Sequence, residues 1–372
     1  MTLTPLFNPA LFRIPDGVAH VCAGGETPFL YSHTEAFEAY ARDKSAGSAG
    51  RPRQEAKVEH ARSLVGALWN VDAASIGFVS SVAEGVSMVM ESLAWGEGDN
   101  ICVIETEYPS VVAPFLLGQG RGRQVRFASP ANEAGLASIV DKSTRVIAVS
   151  WVSYLNGERL DLVSLRRLAD EHDALLIVDF TQASGYLPID ASIADFAFSA
   201  CYKWMLGMTG VASAYWNRDR QPAWSPATAG WYSIISDQVG FADTLTLRPD
   251  AMRFTRGNPA HGAVYVLVNA LTYLEEYAAS AIQHHVQQLT TDLLGRLRKL
   301  EIPSTTPDNP GRHGASVCIA SPRAREIVEQ LATQGVYAWN GRGRIRFSFH
   351  GFNGTADVDR IETALKVAWQ LL

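Results

Sequence analysis

The stretch ADFAFSACYKWMLGMTG, from Ala194 to Gly210, contains one lysine, Lys203, among residues that offer it no obvious ion-pair partner. A buried ammonium is costly unless it is paired or deprotonated. Lysines in such surroundings are often nucleophiles, because burial lowers the pKa of the amine toward neutrality. A lysine that extends from the edge of a core strand into solvent would give the same pattern, so its neighbours have to decide between the two.

Other polar and aromatic residues stand where the predicted strands end. Asp179 lies at the end of the apolar run ALLIVDF and Gln182 follows one helical turn later, while Tyr108 and Asn156 follow two earlier strands. Ligands of open α/β sheets bind at the carboxyl ends of the strands. We therefore predict that these side chains and Lys203 converge on one edge of a sheet.

This combination meets the requirements of pyridoxal 5'-phosphate (PLP), which needs a lysine amine, a carboxylate for its pyridine nitrogen and an anion site for its phosphate. Asp179 suits the carboxylate, and the free N–H groups of a helix that starts in SSVAEG suit the phosphate. Each feature has a structural alternative: a helix cap for Asp179, a capping box for Ser81 and Glu84, and simple packing for Tyr108. Together they predict a PLP site.

The composition sets limits on the kind of protein. The chain has 372 residues, 47% of them hydrophobic, which is typical of a soluble globular enzyme with a large core. A net charge of -6 provides neither a basic stripe for nucleic acid nor a polybasic membrane anchor. The cysteines are far apart, so we predict neither a disulfide framework nor a metal site. MTLTPLFNPALFRIPDG does not resemble a signal peptide, no apolar run approaches about 18 residues, and we expect a cytoplasmic location.

Short apolar runs alternate with helical patterns between residues 75 and 217. Because these runs are apolar on both faces, they predict an α/β fold with a mostly parallel seven-stranded sheet between helices. After RFTRGNPA, one long helical stretch over 261–300 leads into a smaller α+β unit. We predict a large PLP-binding domain over 15–262, a small C-terminal domain over 263–372 on which 1–14 pack, and an exposed loop over 42–56.

Two segments, ALLIVDFTQASGYLPID and DFAFSACYKWMLGMTGVASAYW, resemble the fold-type I, class V aminotransferase family. That family includes cysteine desulfurases, kynureninases and isopenicillin-N-epimerase-like enzymes, and the resemblance extends over nearly the whole chain. It implies that Lys203 forms the internal aldimine with PLP and moves the substrate's proton. It also implies that Asp179 binds the pyridine nitrogen, that Gln182 binds the ring's 3-oxygen, and that Tyr108 stacks on the ring.

The same resemblance implies a phosphate site and a subunit arrangement. Val82 and Ala83 stand where many members have threonines, which implies that only their backbone N–H groups bind the phosphate. Tyr202 stands where kynureninases have a phosphate-binding tyrosine. The segment RFTRGNPA, with Gly257 and Asn258, resembles the one that reaches the neighbouring subunit's phosphate, which implies a homodimer with shared active sites.

A third set of residues is implied to bind the substrate. RIRFSFHGFN is similar to the C-terminal strand whose arginine binds the α-carboxylate, and the spacing to Asn353 selects Arg346, with Arg344 as the alternative. A guanidinium suits this role because its planar fork binds a carboxylate through two parallel hydrogen bonds. Asn156 and Trp231 are further candidates for contact with the substrate. A surface ion pair is the structural alternative for Arg346.

These assignments predict an enzyme that acts on a small α-amino acid through an external aldimine and a quinonoid. Transamination of the class V type is the leading prediction, with a lyase reaction (desulfurase- or kynureninase-like) or epimerisation as the alternative. The segment GVYAWNGRGRIRF corresponds to the loop that carries the cysteine of desulfurases, and it has no cysteine. A non-catalytic binding protein is the alternative from another class, although such a protein would not need the lysine, the acid and the arginine together.

Overall fold

The computed structural model describes residues 2–117, 123–235 and 245–370. Its strands are β1 (Ala19–His20), β2 (Ile76–Val79), β3 (Asp99–Ile104), β4 (Arg123–Ala128), β5 (Thr144–Ser150), β6 (Leu175–Asp179), β7 (Phe196–Ala200), β8 (Ala212–Trp216), β9 (Ile234–Ile235), β10 (Thr246–Leu247), β11 (Ser316–Ala320), β12 (Val336–Tyr337), β13 (Trp339–Gly341) and β14 (Arg344–Ser348). Its α-helices are α1 (His33–Ser45), α2 (Arg51–Leu68), α3 (Val82–Ser92), α4 (Pro109–Leu116), α5 (Glu133–Ile139), α6 (Leu162–Glu171), α7 (His261–Leu274), α8 (Ala279–Lys299), α9 (Ala324–Thr333) and α10 (Thr355–Gln370).

The central sheet has seven strands in the order β2-β8-β7-β6-β5-β3-β4. β8 is antiparallel to both of its neighbours, and the other strands share one direction. β2 and β8 are buried along their whole length, and β5, β6 and β7 are buried at nearly every residue, because helices cover both faces. The predicted α/β class with a mostly parallel seven-stranded sheet is confirmed. Its order places the carboxyl ends of β5, β6 and β7 side by side.

Residues 42–56 are mostly exposed, as predicted, but the predicted loop is wrong because most of the segment is helical. α1 extends to Ser45, and α2 begins at Arg51 with a proline in its first turn. A proline is tolerated there because the N–H groups of the first turn have no acceptor within the helix. Gly50 makes the tight turn between them possible, since a Cβ there would lie 1.8 Å from the carbonyl oxygen of Asp43. The glycines and charges that predicted a loop therefore mark a sharp helix-to-helix connection.

The long helical stretch predicted for residues 261–300 consists of two helices, α7 and α8, separated by residues 275–278. The ring of Phe7 packs against Tyr273 and Tyr277 at this break, with ring centres 5.4 and 4.6 Å away. The N-terminal segment therefore packs against the turn between the two helices. The division into two domains stays a prediction.

The C-terminal part contains a three-stranded antiparallel sheet in the order β11-β14-β13. A separate parallel pair joins β1, near the N-terminus, to β12. None of the described helices is long and apolar enough to cross a membrane. Within the same part of the chain, no group of three or more His, Cys, Asp or Glu side chains is arranged to hold a metal ion.

Candidate active site

The backbone around Lys203 forms a turn just beyond β7. The hydroxyl of Thr27 donates to the carbonyl oxygens of Tyr202 and Lys203, at 3.0 and 2.9 Å. The indole N–H of Trp204 donates to the carbonyl of Phe349 at 3.1 Å, which ties the turn to the C-terminal part of the chain. Lys203 is thus held by segments that come before and after the central sheet in sequence.

The amine of Lys203 is almost completely enclosed, since the residue is 6% exposed. Its Nζ lies 5.6 Å from the ring centre of Tyr108 and 5.6 Å from that of Tyr202, and no described group forms a hydrogen bond or an ion pair with it. Burial, followed by the charge of Arg346, lowers the pKa of the amine to about 7, while Asp179 and Glu26 oppose that shift. A substantial fraction of the amine is therefore neutral, and nucleophilic, near neutral pH.

Asp179 lies at the end of β6, next to the strand that leads to Lys203. Its Oδ1 accepts a hydrogen bond of 2.8 Å from the N–H of Thr181. Burial raises the pKa of this carboxyl group, and the nearby charge of Lys203 reduces that rise. A cation within hydrogen-bonding reach of such a carboxylate stabilises its charged form.

Gln182 is buried one turn after Asp179. The side-chain Nε2 of Gln182 donates a hydrogen bond to the carbonyl oxygen of Gly24 at 3.1 Å. The backbone carbonyl oxygen of Gln182 accepts a hydrogen bond from the hydroxyl of Tyr186. Gly24 in turn lies against Arg346, because a Cβ at Gly24 would be 3.1 Å from the guanidinium carbon. Gln182 therefore connects the turn after β6 to the segment that borders the arginine.

Sequence reasoning missed a second buried acid, Glu107. Its carboxylate accepts hydrogen bonds from the N–H of Tyr108 at 2.6 Å and from the N–H and hydroxyl of Ser150 at 2.8 and 2.5 Å. Burial raises the pKa of Glu107 to about 7, and the charge of Asp179 adds to the rise. The acid directly before Tyr108 in ETEYPS was the available signal. Its role here is to hold the start of α4, and with it Tyr108.

The start of α3 is capped by its own side chains. The Oγ of Ser81 accepts from the N–H of Glu84, and the Glu84 carboxylate accepts from the N–H and hydroxyl of Ser80. Ser81 therefore does cap the helix, as the structural alternative predicted, although the Glu84 carboxylate binds Ser80 rather than Ser81. No described group accepts a hydrogen bond from the N–H groups of Val82 and Ala83, which stay available for an anion.

Gly257 and Asn258 lie close to this helix start within one chain. They line a cleft of about 250 Å³ together with Ser80 and Glu84. The segment thus borders the predicted phosphate site of its own chain. Its predicted contact with a neighbouring subunit stays untested.

Arg346 and Arg344 lie on the same face of β14 and are 3% and 4% exposed. Both donate hydrogen bonds to one acceptor, the carbonyl oxygen of Tyr154, at 3.1 Å for Arg346. The Nε of each guanidinium is buried without a hydrogen-bond partner, and neither pairs with a carboxylate among the described residues. Burial, with a contribution from Arg344, lowers the pKa of Arg346 to about 10, so it stays charged at neutral pH. The surface ion pair considered for Arg346 is therefore wrong.

Two residues that are predicted to contact the substrate, Asn156 and Trp231, have their described side-chain contacts with residues other than Lys203. The side-chain oxygen of Asn156 accepts a hydrogen bond from the N–H of Glu158 at 3.0 Å. Trp231 is 57% exposed, and its ring contacts Tyr232 and the guanidinium of Arg51. Their roles toward a substrate stay predictions.

A sequence model of the family described as Aminotransferase class-V matches residues 32–361 of this chain. The chain belongs to the class V aminotransferase family. The predicted family and enzyme class are thereby confirmed, and PLP is the cofactor of this enzyme family.

The relatives of this class V enzyme include proteins described as an aminotransferase and as a cysteine desulfurase. It is 25% identical to an uncharacterized aminotransferase of Schizosaccharomyces pombe, over 85% of this chain and 83% of the relative. It is also 25% identical to a probable cysteine desulfurase of Pyrococcus abyssi, over 85% of this chain and 83% of that protein. A solved cystine C–S lyase, in complex with cysteine persulfide, matches with a TM-score of 0.85 and 23% identity over 95% of this chain and 98% of its own. At that identity the solved structure shows the fold.

The residues of this class V enzyme fit PLP. The amine of Lys203 has no hydrogen-bond partner in the described chain, and the carboxylate of Asp179 is buried at the neighbouring strand end. The N–H groups of Val82 and Ala83 are unpaired at a helix start. These groups match the aldehyde, the pyridine nitrogen and the phosphate of the cofactor in their chemistry.

Proposed function

We propose that this class V enzyme uses Lys203 to hold PLP and to remove the α-proton of an amino acid whose α-carboxylate is bound by Arg346. The observation that carries the proposal is the buried amine with a pKa of about 7, close to a buried arginine that has no carboxylate partner among the described residues. A base works best when its pKa lies near the working pH. The arginine supplies the charge that a substrate carboxylate needs in a buried site.

When bound, PLP supplies an electron sink for the negative charge that forms at the α-carbon. The residues proposed to support it are those of the sheet edge. Asp179 keeps the pyridine nitrogen protonated, Gln182 contacts the ring oxygen, and Tyr108 covers the ring face. Val82 and Ala83 bind the phosphate through their N–H groups, and Tyr202 stands beside the lysine.

Among the possible reactions, we propose loss of a β-substituent, that is, a lyase reaction. The relatives described as cysteine desulfurases and the C–S lyase favour this branch over the transamination that was the leading prediction. A route through a thiolate of the enzyme is not supported, because all four cysteines are buried and burial raises the pKa of each thiol, for Cys22 to about 12 and for Cys201 to about 11. The β-substituent would then leave without transfer to the protein.

Product analysis tests the branch. The holoenzyme is incubated with a panel of amino acids, and keto acid, ammonia, the released β-substituent and the chirality of the remaining amino acid are measured. Release of the β-substituent without an added keto acid supports the lyase. A strict need for a keto-acid acceptor would instead identify a transaminase, and loss of optical activity alone an epimerase. Absence of any turnover across the panel, with PLP bound, would favour the non-catalytic alternative.

We also propose a homodimer with shared active sites and a cytoplasmic location. The exposed Trp231, its neighbour Arg51 and a cleft of about 440 Å³ that contains Arg51, Asn258 and His261 support a subunit contact next to the phosphate site. Sedimentation of the holoenzyme tests the dimer, and a monomer that is fully active would contradict shared sites.

A further inference from the structure

Glu107 is a buried acid that the proposed reaction does not use. It makes no ion pair with any side chain in the described part of the chain. Its Oε1 accepts hydrogen bonds from the N–H of Tyr108 and from the hydroxyl of Ser150, and its Oε2 accepts one from the N–H of Ser150. Because both oxygens face donors, these contacts favour the charged form of the carboxyl group.

Ser150 connects Glu107 to Asp179. Ser150 ends β5 and is level with Asp179 at the end of β6, in a parallel pair of strands. Level residues of such a pair direct their side chains to the same face of the sheet, and the strands lie about 4.8 Å apart. The Ser150 hydroxyl that binds Glu107 therefore lies on the face that carries the Asp179 carboxyl group. The charge of Asp179 accordingly acts on Glu107.

The strand order arranges the charges of this edge. The strands β3, β5, β6 and β7 are consecutive in the sheet. Four residues therefore follow one another along its edge: Glu107, Ser150, Asp179 and Lys203. Lys203 acts on Asp179, whereas none of the described cations pairs with Glu107. The other titratable side chains here are those of Tyr108 and Tyr202, whose rings lie next to the lysine. The two acids therefore lie on the same side of the amine.

We propose that Glu107 is a positioning residue for the cofactor, whose charge, held beside Asp179 by Ser150, strengthens the hold of Asp179 on a protonated pyridine nitrogen. This inference rests on the proposed role of Asp179 toward that nitrogen. A second negative charge nearby makes a carboxylate a stronger acceptor of a proton or a cation. A protonated pyridine also reduces the repulsion between the two buried acids, because it brings a positive charge to them.

The effect of Glu107 should depend on pH. Burial raises the pKa of its carboxyl group to about 7, and the charge of Asp179 adds to the rise. The carboxylate is therefore charged above about pH 7 and takes up a proton below it. Its effect on the nitrogen should be present above pH 7 and should be lost as the pH falls. A side chain that only holds Tyr108 in place has no such dependence.

The protonation state of the nitrogen is measured directly. The apoenzyme is loaded with PLP that carries ¹⁵N at the pyridine position, and the ¹⁵N chemical shift is followed over a series of pH values on both sides of neutrality. We expect Glu107→Gln to lower the midpoint of the nitrogen titration by about one pH unit, and Glu107→Asp, which keeps the charge, to restore most of it. Glu105→Gln is the matched control, since this nearby acid is exposed and binds the hydroxyl of Ser129. It should leave the midpoint unchanged.

Two results would overturn the inference. One is an equal midpoint in the wild type and in Glu107→Gln. The other is an equal displacement in the glutamine and aspartate variants, which would limit Glu107 to holding Tyr108. If Glu107→Gln does not fold, Ser150→Ala decides. Loss of the hydroxyl donor raises the pKa of Glu107 and should lower the midpoint in the same direction, whereas an unchanged midpoint contradicts the inference.

The same measurement separates this inference from the proposed function. A wild-type nitrogen that carries no proton at any of these pH values would refute the proposed role of Asp179, and the inference would fail with it. A protonated nitrogen that does not respond to changes at Glu107 would leave the role of Asp179 intact and refute the inference alone.

Discussion

The amine of Lys203 lies 5.6 Å from the ring centre of Tyr108. Behind that ring, Tyr154 packs edge to face and accepts hydrogen bonds from both Arg344 and Arg346. The buried amine of Lys203 and the two buried arginines are therefore linked through two packed tyrosines. Their separation is set by buried packing, which deforms little, rather than by a flexible surface loop.

Lys203→Ala should abolish covalent PLP binding, because Lys203 is the buried amine at the predicted site. The measurement is borohydride reduction of the holoenzyme, followed by mapping of the modified lysine. Lys142→Ala, at an exposed lysine, is the control and should leave the adduct intact. A reducible adduct at one other lysine in the Lys203 variant would refute the assignment.

The rate at which the apoenzyme captures PLP should depend on pH through Lys203. Burial lowers the pKa of its amine from 10.5 to about 7, so the neutral, nucleophilic form predominates above pH 7 and is lost as the pH falls. The capture rate should therefore rise roughly tenfold per pH unit below pH 7 and level off above it. Borohydride trapping at a series of pH values measures this. A midpoint near 10.5 would mean that the amine is solvated.

Asp179→Asn should retain PLP and lower turnover by orders of magnitude. An amide cannot keep the pyridine nitrogen protonated, so the ring becomes a weaker electron sink. Cofactor absorbance and steady-state turnover are the measurements. Asp161→Asn, which changes the N-cap of α6, controls for the loss of a capping carboxylate. Near-normal turnover in Asp179→Asn would reduce this residue to a cap for Thr181.

Arg346→Ala should lower kcat/KM for an α-amino acid by about 30-fold to several thousand-fold, corresponding to about 2–5 kcal/mol. Arg346→Lys should recover little, since an ammonium keeps the charge without the fork. PLP absorbance should be unchanged in both variants. Arg325→Ala is the surface control. Unchanged kcat/KM in Arg346→Ala would move the carboxylate role to Arg344 or point to an amine substrate.

Gly24→Ala should weaken substrate binding and destabilise the fold. The added Cβ would lie 2.6 Å from the Ser348 Oγ and 3.1 Å from the guanidinium carbon of Arg346, so Ser348 has to shift and the arginine is crowded. Overpacking of this kind costs about 1–3 kcal/mol of unfolding free energy. Thermal unfolding and the KM of the substrate are the measurements. Gly295→Ala on α8, where the added Cβ meets only the end of the Arg298 side chain at 3.9 Å, is the control: the KM should be unchanged and the thermal stability should not fall, because alanine favours the helix over glycine.

The sequence by itself predicted the sheet and the position of Lys203 and Asp179 at one edge of it. It could do so because strands buried on both faces are apolar throughout, and because residues at their carboxyl ends must meet when the strands are parallel. The same local signals failed at residues 42–56, where glycines and charges belong to a tight connection between helices rather than to a loop.

Only the tertiary structure decided which remote residues surround the lysine. Arg344 and the carbonyl oxygen of Tyr154 are 190 residues apart, and Gln182 and Gly24 are 158 apart. Glu107 binds Ser150 because β3, which Glu107 follows, lies beside β5, which ends at Ser150. Apolar periodicity reports whether each residue is buried, whereas contacts of this kind depend on strand order, on register and on how the C-terminal part of the chain packs against the turns after the large sheet. The shift of the Lys203 pKa follows from that packing, and so does the arginine pair left without a carboxylate among the described residues.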